Sequence, residues 1–395
     1  MRPFFSLGIL AILFLTHSLQ GEEAPVIEMG SRGVSNFIAK MEKERKAHVA
    51  FLGGSITQKE TGHSQLVADW LKANWSDVDF TFTNAGLSST CSLSGALRLE
   101  RDILSKGEVD LLIVEFAVND DQDAGHDYET ALRGLEGIIR QYFEANPKGD
   151  AISVQFVNPS ILTKKQRGEE ATSLRAHKAV ARHYDLPIVD IGQGLANEIE
   201  AGRMTWEEDY GETHPNATGY AFASGLITQV IDETISGETP QIVPMPEPIN
   251  PAAFDSIELI DPQAVSWLGG WKFDSVSEKL LPTGQIRDDY RKYKALRSDE
   301  AGNYLYYSFS GSMLGAFVLA GPDAGILEIS VNGEEWRSVE LFSQYSQKLN
   351  YPRSVILADG LHPNGFHTVA IRTSDAKNEA SLGYTATILN FAVNK

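Results

Sequence analysis

Short apolar runs alternate with longer segments of helical periodicity from Ala47 to about Ile235. The apolar runs, rich in β-branched and aromatic residues, span residues 48–52, 79–83, 109–116, 151–157 and 186–189. Between them, apolar residues recur at three- and four-residue spacing in residues 63–75, 93–105, 128–145, 169–184 and 217–235. This alternation predicts strands joined by crossover helices, and therefore a parallel sheet with helices on both faces. The nearly continuous run LLIVEF is typical of a strand buried on both sides.

The pattern changes after a proline-rich segment in the middle of the chain. Five of the 16 prolines lie between positions 240 and 251, which predicts a semi-rigid linker over residues 239–252. We therefore assign the α/β domain to residues 26–238. Residues 253–395 contain short β-type runs separated by turn residues, which predicts an antiparallel β-sandwich, in the form of a jelly roll. Asn332-Gly333 between two such runs predicts a hairpin.

The N-terminus has the pattern of a secretory signal. Arg2 precedes a 12-residue, mostly apolar stretch, Phe4–Leu15, and the small and polar residues HSLQG follow it. This stretch is shorter than the roughly 20 residues that span a bilayer, so we interpret residues 1–21 as a signal peptide. We expect a secreted or periplasmic protein that has no membrane partner after cleavage of the signal.

Charge and cysteine content exclude several function classes. The formal net charge is −19, which disfavours nucleic acids and anionic membranes as partners because they carry the same sign. Cys91 is the single cysteine, so neither an intramolecular disulfide nor a cysteine-based metal cluster is expected. No zinc or calcium motif is present, and the acidic run Asp120–Asp123 is interpreted as a solvated loop. We expect no cofactor, and the oligomeric state is not encoded in any pattern that we find.

Four short motifs carry the candidate chemistry, and three of them follow predicted strands. They are Ser55 in FLGGSIT, Gly86 in NAG, Asn119 in VND and, before the last predicted helix, His214 in HPN. Ligands of open α/β sheets bind beyond the carboxyl ends of the strands, where three of these motifs are expected to meet. A serine can act there as a nucleophile, a histidine as its base, and backbone or asparagine N–H groups as donors to an oxyanion. Each motif alone is common in ordinary turns.

Taken together and in this order, the four motifs resemble the SGNH (GDSL-type) serine esterases, in the subgroup that reads LGGSIT. The resemblance covers roughly residues 46–236. It implies a three-layer α/β/α, flavodoxin-like fold and ester hydrolysis through an acyl-serine. It also implies that Ser55 and His214 are catalytic and that Ser55, Gly86 and Asn119 form the oxyanion hole. Gly54 stands where the family motif has aspartate.

The acid that orients the histidine departs from the family pattern. The family usually has it three residues before the histidine, where this chain has Gly211. Asp209 is the predicted replacement, because it could fold back toward the imidazole across the flexible glycine. Glu212 is the alternative acid, and a Ser–His dyad without an acid is the third possibility. Loss of the acid would lower the rate without changing the class of reaction.

The sequence therefore predicts a secreted serine esterase, most consistent with removal of O-acetyl groups from a carbohydrate. The substrate class rests on export, on the appended sandwich, and on the lack of a long apolar stretch near the site that would suit acyl chains. Two alternatives remain open. One is a lipase- or thioesterase-like acyl hydrolase, and the other is a non-catalytic glycan-binding protein on a degenerate hydrolase scaffold.

Overall fold

The structure is a computed structural model that describes residues 24–395 of the 395-residue chain. The predicted signal peptide, residues 1–21, lies outside the described residues. Within the described part of the chain, no helix is both long and apolar enough to cross a membrane.

The first sheet contains six strands. They are β1 (Ile27–Glu28), β2 (Lys46–Gly53), β3 (Asp79–Gly86), β4 (Leu111–Glu115), β5 (Asp150–Gln155) and β6 (Ile188–Asp190). They are arranged in the order β1-β6-β5-β4-β2-β3. Strands β2 to β6 pair in parallel, and only the short edge strand β1 is antiparallel. The five parallel strands thus have the flavodoxin-like order, which confirms the predicted fold class.

Within residues 24–395, ten helices surround or border this sheet. They are α1 (Ser35–Glu44), α2 (Ser55–Gln58), α3 (His63–Asn74), α4 (Ser92–Asp102), α5 (Ala117–Asn119), α6 (Tyr128–Ala145), α7 (Pro159–Gln166), α8 (Thr172–His183), α9 (Ile191–Glu200) and α10 (Ala217–Glu233). The five predicted helices correspond to α3, α4, α6, α8 and α10. Helix α6 begins at Tyr128 because the Asp127 side chain caps it, accepting a hydrogen bond from the Thr130 N–H.

Two apolar layers bury the sheet, one on each face. Along β2, Val49 and Phe51 belong to one layer, whereas Leu52 belongs to the other. The alternation follows from the two-residue period of a strand. Because both faces of β4 are also fully covered, Ile113 and Val114 are buried as well. The sheet is therefore rigid where its strands end, and the loops that carry the candidate chemistry start from those ends.

The C-terminal residues form two antiparallel sheets that pack face to face. Their strands are β7 (Ile257–Ile260), β8 (Ser266–Leu268), β9 (Lys272–Ser275), β10 (Lys294–Ser298), β11 (Tyr304–Ser310), β12 (Met313–Ala320), β13 (Ile326–Val331), β14 (Arg337–Glu340), β15 (Tyr351–Ala358), β16 (Phe366–Thr373) and β17 (Ala386–Asn394). One sheet has the order β15-β12-β17-β10-β9 with β7 added to β17, and the other has the order β14-β13-β16-β11-β8. The four-residue helix α11 (Asp288–Arg291) lies in the loop before β10. The predicted β-sandwich is confirmed.

The predicted hairpin is also present. Strands β13 and β14 pair in antiparallel register across the turn at Asn332 and Gly333. Both turn residues have positive φ angles, 52° and 79°, which asparagine and glycine adopt at low cost.

The proline-rich segment runs along the surface of the α/β domain without forming a helix or a strand. The Val243 N–H donates to the Pro147 carbonyl at 2.7 Å, and the Asn250 N–H donates to Glu136 at 2.9 Å. Beyond this segment, Arg133 of α6 forms a bidentate ion pair with Asp359 at 2.7 and 2.9 Å. The two domains are thus joined by direct contacts in addition to the chain itself.

Candidate active site

The turn between β2 and α2 presents Ser55 at the carboxyl end of the sheet. Two glycines, Gly53 and Gly54, leave space in this turn for the side chains of Glu115 and Asn119. A Cβ atom at Gly53 would lie 2.3 Å from an oxygen of Glu115, and one at Gly54 would lie 2.2 Å from the Asn119 Oδ1 atom. Both distances are far inside van der Waals contact, so these two side chains pack against the turn only because it consists of glycines.

The structure brings Ser55 and His214 together. The Ser55 Oγ atom lies 2.7 Å from the His214 Nε2 atom, a distance at which the hydroxyl can donate its proton to the ring. His214 lies in a loop that a β-bridge between Gly211 and Pro215 closes. The next residue, Asn216, caps α10 by accepting a hydrogen bond from the Gly219 N–H at 3.0 Å. The imidazole is therefore positioned by a constrained loop rather than by a regular element.

Asn119 supplies a side-chain N–H group beside this pair. It is buried at the end of α5 and packs against the turn at Gly54. Its Nδ2 atom donates to Asp123 at 2.6 Å. Because an amide nitrogen carries two hydrogens, the second one remains for an oxyanion. The Ser55 N–H is the other candidate donor, since it occupies the first position of α2 and has no acceptor within the helix.

Gly86 lies next to the nucleophile turn, but its N–H group is already used. Gly86 pairs with Gly53 across β2 and β3, and a Cβ atom on it would lie 2.3 Å from the Gln58 nitrogen. Its N–H donates to the Asn84 Oδ1 atom at 2.8 Å. The glycine is thus needed for close packing of β3 against α2. Its predicted role in the oxyanion hole would require Asn84 to release this hydrogen bond.

Neither predicted acid contacts the imidazole. The Asp209 carboxylate accepts hydrogen bonds from the Thr205 N–H at 2.7 Å and from the Thr205 hydroxyl at 3.1 Å, and so stabilises its own turn. Among the residues that the structure describes, no carboxylate lies within 4.0 Å of a His214 nitrogen, and this includes Glu212. Local backbone donors compete successfully for the Asp209 side chain. Asp209 therefore does not pair with the imidazole in this structure, and the Ser–His dyad stays a prediction.

Asp123 belongs to the candidate site, although the sequence analysis placed this residue in a solvated loop. Burial raises the pKa of its carboxyl, while hydrogen bonds from Asn119 and Gln122 and the charges of His214 and Arg287 act in the opposite direction. Asp123 therefore holds the Asn119 side chain directly. Its position four residues after Asn119, on one helical turn, was the signal in the sequence.

Glu115 is the second residue of the candidate site that the sequence analysis did not identify. It is the last residue of β4, only 2% exposed, and its Oε1 atom accepts hydrogen bonds from the Gly54 N–H at 3.0 Å and the Thr57 hydroxyl at 2.6 Å. Its Oε2 atom is buried without a hydrogen-bond partner. Burial raises the pKa of Glu115 to about 7, although the hydrogen bonds from Thr57 and Gly54 oppose the shift.

One group of side chains could hold a metal ion. Cys91, Asp120 and His126 each offer one ligand atom, and these atoms lie within 4.8 Å of one another. The Asp120 carboxylate already accepts hydrogen bonds from the Ser92 N–H at 2.8 Å and pairs with His177 at 2.9 Å. Burial by itself would raise the pKa of Asp120, but the two histidines hold it well below its usual range. Asp120 is thus fully buried in a satisfied network, which corrects its interpretation as part of a solvated loop.

Two cavities adjoin the site. The first, of about 680 Å³, opens beside the nucleophile and is lined by Ser55, Gln58, Lys59, Glu60, Thr61, Ser88, His214, Pro215 and Tyr220. The second, of about 450 Å³, lies between the two domains and is lined by Cys91, Asp123 and His126 on one side and Tyr345, Tyr351 and Arg353 on the other.

The C-terminal domain reaches the rim of the first cavity. The Gln58 side chain, which lines it, donates to Asp289 at 2.9 Å, and Arg287 donates to the Ser89 hydroxyl at 3.0 Å. Both C-terminal residues belong to the loop that contains α11. The cleft beside the nucleophile is therefore bordered by both domains.

Comparison with known proteins agrees with this geometry. Residues 51–222 match the sequence model of the GDSL-like Lipase/Acylhydrolase family, and this range includes both members of the Ser–His pair. The family match and the Ser–His pair together support the hydrolysis of ester bonds as the reaction class. No curated protein matches the sequence.

Two crystal structures share the fold of the α/β domain together with that of the sandwich. Both are of a two-domain esterase active on acetylated mannans. The one co-crystallised with mannopentaose is 24% identical, with a TM-score of 0.73, and the alignment covers 92% of this chain and 96% of that chain. The other is 23% identical, also with a TM-score of 0.73, and covers 93% and 97%. The two-domain architecture is thus shared along nearly the whole length.

Proposed function

We propose that this protein is a GDSL-type hydrolase, a secreted or periplasmic esterase that removes O-acetyl groups from a carbohydrate through an acyl-serine at Ser55. The observation that carries the proposal is the 2.7 Å contact between the Ser55 hydroxyl and the His214 imidazole at the carboxyl end of the sheet. Export is supported by the predicted signal peptide, residues 1–21. No nucleic acid or membrane partner is expected, given the net charge of −19.

The proposed reaction has two halves. His214 accepts the Ser55 proton while the hydroxyl oxygen attacks the ester carbonyl, and the Ser55 N–H and the Asn119 amide donate to the resulting oxyanion. The tetrahedral intermediate collapses, the ester C–O bond breaks, and the protonated imidazole gives its proton to the departing sugar hydroxyl. A water molecule, deprotonated by the same imidazole, then attacks the acyl-serine. Acetate leaves and the serine regains its proton.

The dyad arrangement has a consequence for rate. An acid on the second ring nitrogen would stabilise the imidazolium that forms in each half-reaction. In this chain the constrained loop from Gly211 to Asn216 orients the ring instead. We therefore propose that the reaction class is retained and that the turnover number is modest compared with that of a complete triad.

The shape and lining of the cleft favour a sugar over an acyl chain. Most residues around the first cavity are polar or charged, including Gln58, Lys59 and Ser88, and such groups pair with hydroxyls rather than with methylenes. The two-domain likeness to an esterase active on acetylated mannans points in the same direction. An acetylated polysaccharide is therefore the proposed substrate class, ahead of a long-chain lipid or thioester.

Acetate release from acetylated glycans tests the proposal. We expect the wild type to release acetate from at least one member of a panel that includes acetylated mannan and xylan, with the chemically deacetylated glycans as blanks. Ser55→Ala should lower the turnover number by at least about 10³-fold. Ser105→Ala, on an exposed serine beyond α4, is the matched control and should match the wild type.

Each other outcome selects a different function. Faster hydrolysis of p-nitrophenyl esters with long acyl chains than of the acetyl ester would select the lipase-like alternative. Equal, negligible acetate release by the wild type and by Ser55→Ala, together with retention on an immobilised glycan, would select the non-catalytic glycan-binding protein.

A further inference from the structure

Glu115 has an unusual position for a buried acid, because it holds both sides of the nucleophile. One of its oxygens accepts from the Gly54 N–H, the residue before Ser55, and from the Thr57 hydroxyl, two residues after it. The carboxyl group therefore ties the end of β2 to the first turn of α2. Gly53 leaves the space that the carboxyl occupies, since a Cβ atom there would lie 2.3 Å from its oxygen.

No cation compensates this carboxyl group. Within residues 24–395, no ion pair involves Glu115, and its second oxygen is buried without a donor. A buried acid that only stabilised the fold would be expected to have its charge paired or both oxygens hydrogen-bonded. Glu136 of α6 shows that arrangement, because one of its oxygens accepts from the Asn250 N–H and the other from the Tyr184 hydroxyl.

The surroundings of Glu115 favour its neutral form. The titratable groups that face this region from the adjoining elements are the phenols of Tyr210 and Tyr220, the Asp120 carboxylate, the guanidinium of Arg98, which donates to the Gly53 carbonyl, and the ring of His63. Burial lowers the pKa of His63 to about 3, so this histidine is neutral and provides no counter-charge.

We propose that Glu115 is a positioning residue for the nucleophile, and that its carboxyl group, through the Gly54 N–H and the Thr57 hydroxyl, keeps the Ser55 amide and hydroxyl aligned for the reaction. This inference rests on the proposed function. It assigns to the last residue of a buried strand a role in the reaction, although Glu115 touches neither the substrate nor the reacting atoms.

Ionisation of this group has a defined consequence. When Glu115 ionises, its carboxylate oxygen is negatively charged and contacts the Gly54 N–H, one residue before Ser55. In the transition state the substrate oxyanion, which the Ser55 N–H binds, is negatively charged as well. Repulsion between the two charges raises the barrier. Burial raises the pKa of Glu115 to about 7, so the loss of rate is expected as the pH rises through neutrality.

The experiment uses the full chain with p-nitrophenyl acetate and four variants. Glu115→Ala should lower kcat by about 10²-fold with KM within about threefold, because a displacement of about 1 Å at a nucleophile has that effect. Thr57→Val removes one donor and should lower kcat by about tenfold, while Thr57→Ser should restore it. Glu115→Gln keeps an acceptor for both donors but cannot ionise. The ratio of wild-type to Glu115→Gln kcat should therefore fall by roughly tenfold between pH 6 and pH 8.5.

Glu136→Gln is the matched control, because Glu136 is a buried glutamate whose hydrogen-bond partners, Tyr184, Ile249 and Asn250, lie outside the nucleophile turn. The ratio of wild-type kcat to Glu136→Gln kcat should not change with pH. The proposal is overturned if the ratio of wild-type kcat to Glu115→Gln kcat does not depend on pH. It is also overturned if Glu115→Ala has a lower melting temperature but the kcat of the wild type. If Glu115→Ala does not fold, the Thr57 pair decides: equal kcat values for the valine and serine variants also overturn it. A wild type without esterase activity refutes the proposed function instead, so the two failures are distinguishable.

Discussion

Replacement of Gly54 by alanine tests whether close packing of Asn119 against the nucleophile turn is required for activity. The new methyl group would lie 2.2 Å from the Asn119 Oδ1 atom, whereas ordinary contact begins near 3.4 Å. Either the turn or the Asn119 side chain must therefore move by about 1.2 Å. Asn119 resists this movement because Asp123 holds its amide nitrogen at 2.6 Å.

The size of the effect follows from this displacement. A shift of about 1 Å at a reacting group costs about 10²-fold in rate, and loss of one oxyanion donor costs about 10²–10³-fold. We expect kcat to fall by about 10²-fold or more in Gly54→Ala. The free energy of unfolding should fall by about 1–3 kcal/mol, the usual cost of inserting one methyl group into a packed region.

Steady-state hydrolysis of p-nitrophenyl acetate and thermal unfolding measure the two effects separately. Gly225→Ala is the matched control, because a Cβ atom at this exposed position of α10 meets no atom within 4 Å. This control should keep wild-type kcat and gain up to about 1 kcal/mol, since alanine is the better helix former. A kcat for Gly54→Ala within twofold of the wild type would show that the packing of Asn119 against the turn is not needed.

Three further predictions address the neighbouring residues. Asn119→Ala should lower kcat by about 10²–10³-fold, and Asp123→Asn by a smaller factor of about ten, because the first removes a donor and the second only its anchor. Asp209→Asn should keep kcat within twofold and lower the free energy of unfolding by about 1 kcal/mol, since Asp209 contacts Thr205 rather than the imidazole. Between pH 4.5 and 7 the folded state keeps the Glu115 proton that the unfolded state loses, so stability should fall by about 3 kcal/mol over this range, and Glu115→Gln should lack this loss.

Kinetics and urea unfolding check these expectations. An Asp123→Asn variant as impaired as Asn119→Ala would assign to the carboxylate a direct part in the reaction. A loss of 10²-fold or more in Asp209→Asn would restore Asp209 as the triad acid. Identical slopes of unfolding free energy against pH in wild type and Glu115→Gln would contradict the buried, uncharged state of this acid.

The sequence predicted the elements with strong periodicity well. Helix α6 has the same bounds in the prediction and in the structure, because its apolar residues keep helical spacing and Asp127 caps it. Helix α9 was missed, since two glycines in its first turn (IGQG) weaken the helical signal. Helix α7 is short and its apolar positions are few. Strand β1, two residues long, carries too little pattern to be recognised.

The candidate site followed from the rule that parallel strands end at one edge of the sheet. Ser55 and Asn119 meet because β2 and β4 are neighbours, and this neighbour relation follows from the flavodoxin-like order. The position of Asp209 did not follow, because the direction of its loop depends on Gly211, whose φ of 103° is open to glycine but not to most residues. Glu115 was not identified for another reason. In the run LLIVEF it is a single polar residue near the end of a predicted strand, and nothing in the pattern distinguishes it from an ordinary strand end.

The cavity between the two domains contains a natural reporter of domain separation, the thiol of Cys91. Cys91 is the only cysteine in the sequence, is 5% exposed, and lines this cavity opposite Tyr345 and Arg353 of the sandwich. Because Cys91 is buried against this cavity, we expect a thiol-specific dye to react with it faster when the two domains move apart. The rate of labelling, measured without any engineered tag, thus reports how often the interface opens, and a bound glycan that bridges both domains should slow it.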